Sequence, residues 1–498
     1  MLENVLIEAV AAEGNSLAHI DGKVLFVPQT VPGDVVDVQV TRARKGYMEG
    51  YVKRLVSPSP NRLEPVCKHY GDCGGCKWQI LPYSMQLAAK QQQVVDQLTR
   101  IGHLDLPEIS PILGSERQYF YRNKLEYTFS SRRWLLRGED PETVTDRCGL
   151  GFHVGGMFDK VLDIDFCHLQ DDPSNALRNF VRSYAVEHGL SFFDLREQTG
   201  LLRNMVVRTA STGELMLTVA FGPEALDYTA CGDFSDPVAA SAFTLLPGSP
   251  GAILLDAIVE EFPQITSLNY VINSKRNDTI NDLAVHVWHG RDCIYEQMEN
   301  LRFKVGPKSF YQTNSAQAYR LYSTVRSFAL DKNGLVSDKE YGSVPDKPVI
   351  YDLYTGTGTI ALFLSSMASK VVGIEYVPEA IEDAKANAAL NSIDNAVFYA
   401  GDMKDVLNSS FIDYNGSPSI VVLDPPRAGI HPDVAQVLME TSPARIIYVS
   451  CNPASQARDL SVMASKYDII AVQPVDMFPQ THHVENVVLL ALRSDINN

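Results

Sequence analysis

A single cysteine, Cys451, follows directly after the apolar run RIIYVS and precedes Asn452 and Pro453. A free cysteine in a protein is most often a small buried hydrophobic residue. A thiolate is also a strong nucleophile, and a thiol at the end of a strand would face a ligand if that strand belonged to an open parallel sheet. The rest of the sequence must decide between a packing role and a nucleophilic role for Cys451.

Three acidic residues share the placement of Cys451, because each stands at the end of an apolar run. Glu375 ends VVGIE, Asp402 follows VFYAG and Asp424 follows IVVL. Each alone would serve as a helix N-cap or a turn former. Three in succession favour a nucleotide-like ligand, bound along the edge where parallel strands end.

A glycine turn precedes these acidic residues. The stretch YDLYTGTGTIAL reads as a strand, a turn with Gly356 and Gly358, and a helix, and glycine lets the backbone approach a ligand closely. Glu375 follows this turn in the sequence at about the spacing of the acidic residue that binds the ribose hydroxyls in nucleotide-binding folds. The GxGxxG and GxxxxGK[ST] loops of NAD and ATP sites are missing. Because S-adenosylmethionine (SAM) carries no phosphate, the pattern favours SAM.

A second group of residues has the spacing of metal ligands. Cys67, Cys73 and Cys76 form C-x5-C-x2-C, and Cys167 in DIDFCHL supplies a fourth thiol. Zinc ribbons normally use two CxxC pairs, whereas three clustered cysteines with a distant fourth can hold an iron–sulfur cluster. The spacing favours iron–sulfur and leaves zinc open. The radical-SAM spacing C-x3-C-x2-C is absent, so cleavage of SAM by the cluster is not expected.

Three regions of the chain differ in pattern. Residues 1–57 alternate short β-type runs with turns, which predicts a small β-barrel. Residues 58–301 mix β-type runs with helices and predict an α+β central domain. Residues 302–498 alternate strand and helix, which predicts a doubly wound Rossmann-like α/β domain with a polar insertion near 330–347.

Composition sets broad limits on the partners of this chain of 498 residues. The formal net charge of −17 alone argues against nucleic acid, but the first 135 residues carry 16 Lys or Arg against 14 Asp or Glu. Charge therefore does not exclude RNA. No apolar run reaches the roughly 20 residues of a membrane span, and the N-terminus lacks a basic signal region. We expect a cytoplasmic monomer without a membrane partner.

Six motifs together resemble one family, the RNA uridine-C5 methyltransferases. They are FYQTN, DLYTGTGTI, GIEYVPEAIEDAKANA, VLDPPRAGIHP, YVSCNP and HHVENVVLL. The resemblance runs nearly end to end, since residues 1–57 resemble the OB-like TRAM domain of that family and CKHYGDCGGCKWQ its iron–sulfur segment. It implies an enzyme with a 4Fe–4S cluster on the four cysteines.

The resemblance also assigns roles to single residues. It implies that Cys451 is the nucleophile and that Glu485, in HHVENVVLL, is the base; without it Glu485 would read as a surface residue. The residues that match SAM contacts of the family are Gln312, Tyr354, Glu375 and Asp424. To these the strand-end pattern adds Gly356 and Asp402 as cofactor-binding candidates. One departure is Thr355, where the family often has cysteine.

The implied chemistry explains why a thiol is needed. Carbon 5 of uracil is a poor nucleophile, and a thiolate that adds to carbon 6 converts the ring into an enolate that can accept a methyl group. A different class of methyltransferases, which methylate amino groups of bases, has a DPPY loop whose aromatic residue stacks on the base. In this chain the loop reads DPPR, so Arg427 replaces that aromatic residue. The barrel and the cluster favour 23S ribosomal RNA as the substrate, with tRNA as the alternative. The rival hypotheses are an iron–sulfur electron-transfer protein and an RNA-binding factor without catalysis.

Overall fold

The computed structural model describes residues 1–136, 138–331, 334–337 and 341–494. The polar insertion predicted near 330–347 lies partly outside the described residues. Within the described residues, no helix combines the length and the apolar character needed to cross a membrane.

The N-terminal domain is a six-stranded β-structure. Its strands are β1 (Leu2–Leu6), β2 (Ala9–Val10), β3 (Ser16–Ile20), β4 (Lys23–Val27), β5 (Val35–Ala43) and β6 (Tyr47–Ser57). They lie in the order β1-β5-β6-β4-β3-β2, with β4 parallel to β6 and the other pairs antiparallel. Alternate residues of β4 and β5 point inward, and Leu25, Val27, Val36 and Val38 are fully buried. The predicted barrel therefore has its own small apolar core.

The central domain is built on a second sheet of seven strands. After helix α1 (Tyr83–Arg100) come β7 (Lys124–Ser130), β8 (Gly149–His153), β9 (Val161–Asp163), α2 (Ser174–Glu187), β10 (Leu202–Thr209), β11 (Leu215–Phe221), α3 (Pro237–Ala240), α4 (Pro250–Glu261), β12 (Ser267–Ile272) and β13 (His286–Gly290). The order is β13-β12-β11-β10-β7-β8-β9, and only β11 and β12 run parallel. Helices α2 and α4 pack together beside this sheet.

The C-terminal part forms the third sheet, also of seven strands. Its elements are β14 (Ile294–Met298), β15 (Leu301–Val305), α5 (Ser315–Leu330), β16 (Val349–Leu353), α6 (Thr359–Leu364), β17 (Lys370–Glu375), α7 (Pro378–Leu390), β18 (Ala396–Ala400), α8 (Met403–Val406), α9 (Ser409–Asn415), β19 (Ile420–Leu423), α10 (Pro432–Thr441), β20 (Arg445–Ser450), α11 (Pro453–Met463), β21 (Tyr467–Val475) and β22 (Glu485–Leu492). The sheet order is β18-β17-β16-β19-β20-β22-β21. Three short 3-10 helices complete the fold: Ala12–Gly14, Pro223–Tyr228 and Ser365–Met367.

The strand order of the third sheet reverses at β16. The chain moves outward from β16 through β17 to β18 and returns to the opposite side of β16 at β19. Five strands run parallel, and their apolar residues are buried because helices cover both faces. In such sheets the ligand crevice lies where the order reverses, outside the carboxyl ends of the strands. The fold therefore places a binding site beyond the ends of β16, β17, β19 and β20.

Two elements before the third sheet pack against it. Helix α1 contacts α11 and β21, and its Val94 and Leu98 are fully buried in the apolar core of the third sheet. The β14–β15 hairpin packs against α7, so the predicted boundary between residues 301 and 302 falls inside this hairpin. Both contacts join sequence-distant parts of the chain, although α1 and the hairpin belong to two different apolar clusters of the third sheet.

Candidate active site

The pairing of β20 with β22 brings Cys451 and Glu485 together. The two strands are antiparallel, and Ser450 pairs with Asn486. Cys451 is the next residue after β20, and Glu485 precedes Asn486 on β22, so both lie at the carboxyl edge of the sheet. Asp424 follows the neighbouring strand β19 at the same edge. A thiol and two carboxyl groups thus meet where the fold predicts a ligand crevice.

A cavity of about 1280 Å³ opens at this edge and is shared by all eight predicted catalytic and cofactor-binding residues. They are Gln312, Tyr354, Gly356, Glu375, Asp402, Asp424, Cys451 and Glu485. The structure therefore brings together residues that span more than 170 positions of the sequence. A cavity of this size can accommodate both a nucleoside-sized cofactor and a flipped base.

The glycine turn after β16 is held to Glu375 at the end of β17. The backbone N–H groups of Gly356 and Val377 donate to the two Glu375 oxygens at 3.1 and 3.0 Å. Gly356 has φ +55°, a left-handed conformation that glycine adopts without steric cost. A carboxylate oxygen can accept more than one hydrogen bond, so Glu375, which lines the cavity, suits the paired hydroxyls of a ribose.

Asp424 lies beside a second acidic residue, Asp352. Asp352 is completely buried in β16, where it accepts hydrogen bonds from the Thr355 hydroxyl at 2.6 Å and the Ala361 N–H at 2.9 Å. The protein around Asp424, and then the Asp352 carboxyl, raise the pKa of Asp424 to about 7. Among the described residues no side chain donates a hydrogen bond to Asp424, so its oxygens remain available for a ligand. A cationic amino group would satisfy them.

Asp402 also has a local role. It caps α8 by accepting from the Lys404 N–H at 3.3 Å and forms an ion pair with the Lys404 ammonium at 3.1 Å. The Lys404 ammonium, and then the Lys404 N–H, lower the pKa of the half-buried Asp402 carboxyl. It lines the cavity but is already partly satisfied, unlike Asp424.

The protonation of Cys451 depends on its neighbours. Burial, and then the Glu485 carboxylate, raise its pKa to about 11, while the Arg427 guanidinium acts in the opposite direction. Burial and then Asp424 raise the pKa of Glu485 well above its usual value, and Arg427 again opposes them. Glu485 is only 7 % exposed, so the reading of this residue as a surface glutamate is wrong. Arg427 is a nearby cation that favours the charged forms of both groups.

Helix α11 fixes the loop that carries Arg427. The Asn452 side chain caps α11 through the Ala454 N–H, and its Nδ2 donates to the Arg427 carbonyl at 3.0 Å. The Ser455 hydroxyl donates to the same carbonyl at 2.9 Å. The nucleophile and the loop after Asp424 are therefore held by the same helix start. This explains why Asn452 and Pro453 follow Cys451, since Asn is a preferred N-cap and Pro a preferred first helical residue.

Aromatic side chains line the cavity, and two imidazoles lie behind them, near Arg427. Phe310 is 67 % exposed and lines the cavity with Phe478, whereas its neighbour Tyr311 is buried. Burial and then the adjacent imidazole lower the pKa of His482 to about 3, and burial and then Arg427 lower that of His483 to about 4. Both imidazoles are neutral at pH 7. His483 Nδ1 lies 3.4 Å from the Arg427 guanidinium, which fits an orienting role.

The four predicted metal ligands line a second cavity of about 340 Å³. Cys67, Cys73 and Cys76 lie between the barrel and α1, and Cys167 lies between β9 and α2. Burial raises the pKa of Cys73 to about 11 and that of Cys167 to about 12, and neighbouring thiols raise both further. In the part of the chain that the structure describes, no three His, Cys, Asp or Glu side chains are grouped tightly enough to hold a metal ion.

The sequence did not reveal the roles of three residues at the site: Arg427 and Phe478, which line the cavity, and Asp352, which is buried beside Asp424. Asp352 could have been noticed as a charged residue inside the apolar run VIYDLY, which requires a buried partner. Arg427 was identified only as a replacement for an aromatic residue, although it is near Asp424 in sequence. Phe478 carries no pattern that could reveal it, because it reaches the cavity only through the fold of the segment between β21 and β22.

Two family models match the chain. The tRNA (uracil-5-)-methyltransferase model matches residues 289–493, and the TRAM domain model matches residues 3–53. An uncharacterized RNA methyltransferase of Bacteroides thetaiotaomicron is 55 % identical over 97 % of this chain and 100 % of its own length. One of Porphyromonas gingivalis is 52 % identical over 98 % of this chain and 99 % of its length.

A solved structure is similar over nearly the whole chain. It is the tRNA (uracil-54, C5)-methyltransferase of Pyrococcus abyssi in complex with S-adenosyl-L-homocysteine, at 25 % identity and a TM-score of 0.69. The match covers 98 % of this chain and 100 % of that one. The TRAM domain and the Rossmann-like methyltransferase domain agree with these comparisons. The chain belongs to the family of SAM-dependent RNA uracil-5-methyltransferases.

Proposed function

We propose that this enzyme methylates carbon 5 of a specific uridine in 23S ribosomal RNA, with Cys451 as nucleophile and Glu485 as base. The observation that carries this proposal is the shared edge of β20 and β22, which puts the thiol and a buried carboxyl side by side in the 1280 Å³ cavity. A target carbon is inaccessible in a stacked helix, so the uridine enters the cavity flipped or from a loop. We also expect the enzyme to act as a monomer in the cytoplasm.

The first half of the reaction uses Cys451. Its thiol proton leaves to solvent, and the resulting thiolate forms a bond to carbon 6 of uracil. The electrons of the carbon 5–carbon 6 double bond move to carbon 5 and the carbonyl oxygen of carbon 4, so carbon 5 can accept a methyl group. Arg427 assists because it favours the thiolate over the thiol.

The second half uses Glu485. After methylation, carbon 5 still holds its proton, and Glu485 removes it as general base. The electrons reform the double bond, the carbon–sulfur bond breaks, and Cys451 leaves as a thiolate ready for the next cycle. Burial raises the pKa of Glu485, which makes its carboxylate a stronger base than an exposed glutamate.

We propose that SAM is held by the residues along the ends of β16, β17 and β19. Glu375 would hold the ribose hydroxyls, and Asp424 would hold the cationic amino group. Gln312, Tyr354, Gly356 and Asp402 complete the lining. When bound, SAM supplies the methyl group.

We propose that Cys67, Cys73, Cys76 and Cys167 hold a 4Fe–4S cluster. A single zinc ion requires four ligands within about 2.3 Å of one point, and such a tight grouping is not found among the described residues. A cluster separates its thiolates, which fits four cysteines spread around a 340 Å³ cavity. When bound, the cluster would join the segment before α1 to the loop after β9.

The test uses protein purified without oxygen, tritiated SAM, and unmodified 23S ribosomal RNA or bulk tRNA, beside a Cys451→Ala variant. Label recovered as 5-methyluridine in ribosomal RNA, and lost in the variant, is the expected result. Label in tRNA would keep the chemistry and overturn the substrate. No label in either RNA, with SAM bound, would overturn the proposed function.

Transfer RNA is the second candidate substrate. The similar structure from Pyrococcus abyssi is titled a tRNA (uracil-54, C5)-methyltransferase, and its match covers 98 % of this chain, including the region of the N-terminal barrel. Its overall architecture thus resembles that of this chain, so the barrel does not by itself select ribosomal RNA.

A further inference from the structure

The segment between β21 and β22, residues 476–484, leads directly into Glu485 and contributes one side chain to the lining of the catalytic cavity. Phe478 of this β21–β22 segment lines the cavity, and His483 contacts Arg427. The nucleophile Cys451 lies on a different connection, between β20 and α11. A displacement of the β21–β22 segment would therefore disturb the base more than the nucleophile.

This segment is held by the residues that directly follow Cys76. The backbone N–H groups of Lys77 and Trp78 both donate to the Gln480 carbonyl, at 2.8 and 3.1 Å. Gln480 has φ +66°, a left-handed conformation that is unfavourable for a residue with a Cβ. Such a conformation persists only where surrounding contacts enforce it.

A reciprocal pair of side chains supplies those contacts. The Gln480 N–H donates to Gln86 Oε1 at 3.0 Å, and Gln86 Nε2 donates to Gln480 Oε1 at 3.0 Å. Gln86 Nε2 also lies within hydrogen-bond distance of the Trp78 and Leu81 carbonyls. Gln86 and Gln480 are 1 % and 2 % exposed, so no water replaces these bonds if one partner is removed.

A buried ion pair strengthens the same attachment. Lys90, one turn after Gln86 on α1, pairs with Asp476, and its ammonium also donates to the Phe478 carbonyl at 3.1 Å. The Tyr83 hydroxyl donates to Asp476 at 2.7 Å. Helix α1 thus contacts both the start and the middle of the β21–β22 segment.

We propose that Gln86 and Gln480 are positioning residues, which fix the β21–β22 segment against the cysteine segment and so place Glu485 for proton abstraction. This inference rests on the proposed role of Glu485. It predicts that loss of the pair slows the second half of the reaction and leaves the addition of Cys451 intact. The adduct between enzyme and RNA would then accumulate, because its breakdown requires the base.

The experiment compares isosteric Gln→Met variants. Gln86→Met removes both side-chain bonds to Gln480. Gln92→Met is the matched control, since Gln92 is exposed on the same helix and its Nε2 donates to Asp96. Wild type, Glu485→Gln and each variant are incubated with SAM and unmodified 23S ribosomal RNA, with unmodified tRNA in parallel. Denaturing gels measure the fraction of covalent adduct, and kcat, KM, SAM affinity and iron content are measured on the same samples.

The expected result for Gln86→Met is a kcat at least tenfold below wild type, KM values within twofold, unchanged iron, and an adduct fraction raised toward that of Glu485→Gln. Wild-type kcat and adduct would overturn the inference, as would a parallel loss of kcat, adduct and iron. If Gln86→Met does not fold, Gln480→Met, which removes only one acceptor, is judged by the same criteria. Absence of adduct in folded Glu485→Gln would instead contradict the proposed function.

Discussion

The two cavities of this enzyme place cysteine side chains among different kinds of neighbouring groups. In the catalytic cavity Cys451 lies with two carboxyl groups and a guanidinium, on residues whose positions follow from strand pairing. In the cysteine cavity four thiols line one cavity, on two separate segments of the central domain. In the catalytic cavity, protons can be transferred between the thiol and the carboxyl groups. In the cysteine cavity, four thiolates are stable only when a cation neutralises their charge. The same residue type is thus suited to covalent chemistry in one cavity and to ligation in the other.

The largest expected effect separates the two cavities outright. Cys451→Ala removes the nucleophile and should lower methylation by at least about 10⁴-fold, the scale of other nucleophile deletions. Iron content and SAM affinity should stay as in wild type, because Cys451 lies outside the cysteine cavity. Residual activity above one hundredth of wild type would show that another group attacks carbon 6.

Glu485→Gln should lower turnover by about 10² to 10⁴-fold, since a general base contributes on this scale. The amide cannot accept the proton from carbon 5, so a covalent complex with RNA should survive denaturation and be visible on a gel. The matched variant Glu382→Gln, on the exposed face of α7, should turn over normally. A Glu485→Gln protein that releases methylated RNA at the normal rate would contradict the assignment.

Cys167→Ser should act on the second cavity alone. We expect less than half the wild-type iron in anaerobically purified protein and a lower melting temperature, because the loop after β9 loses its connection to the segment before α1. SAM affinity should change by less than threefold. Full iron content in this variant would remove Cys167 from the ligand set.

SAM binding should depend on pH through Asp424. Because the pKa of this carboxyl in the free protein is raised to about 7, it is mostly protonated at pH 6 and mostly ionised at pH 8. A cationic amino group needs the ionised form, so affinity measured by calorimetry should rise about tenfold from pH 6 to pH 8. Asp424→Asn should bind SAM weakly and without this slope; an unchanged slope would assign it to another group.

The smallest effect is expected for substitution of a cysteine that belongs to neither cavity, and this variant is the control for the other cysteine variants. Cys231 is exposed and lines neither cavity. Cys231→Ser should therefore change the free energy of unfolding by less than about 0.5 kcal/mol and leave iron and methylation unaltered. A loss of iron in this variant would extend the metal site beyond the four predicted cysteines.

The residues at the strand ends could be predicted from the sequence, because the pattern that reveals them lies within a few neighbouring residues. Glu375, Asp402 and Asp424 each terminate an apolar run, and the alternation of strand and helix already implies that such ends meet at one edge. The position of Glu485 depends instead on β22 running antiparallel beside β20, which no local pattern encodes. Its role therefore came only from resemblance to a family.

The features of the structure that the sequence does not predict are mostly contacts between segments far apart in the chain. Nothing in the sequence of α1 indicates that it covers α11 rather than the central sheet, since its apolar residues would suit either surface. The reciprocal pair Gln86 and Gln480 likewise joins residues 394 positions apart. Periodicity predicts that a face is buried but not which partner buries it.

The packing of α1 against α11 affects how the protein folds while the ribosome is still synthesising it. More than 350 residues separate the two helices, and at about 5 to 20 residues per second α1 waits roughly 20 to 70 s for its partner. Throughout that interval Val94 and Leu98, which are fully buried in the finished enzyme, have no core to join. Nascent chains that stop short of α11 should therefore recruit chaperones or aggregate, and a shortened protein spanning residues 289–493 would expose the complementary apolar face.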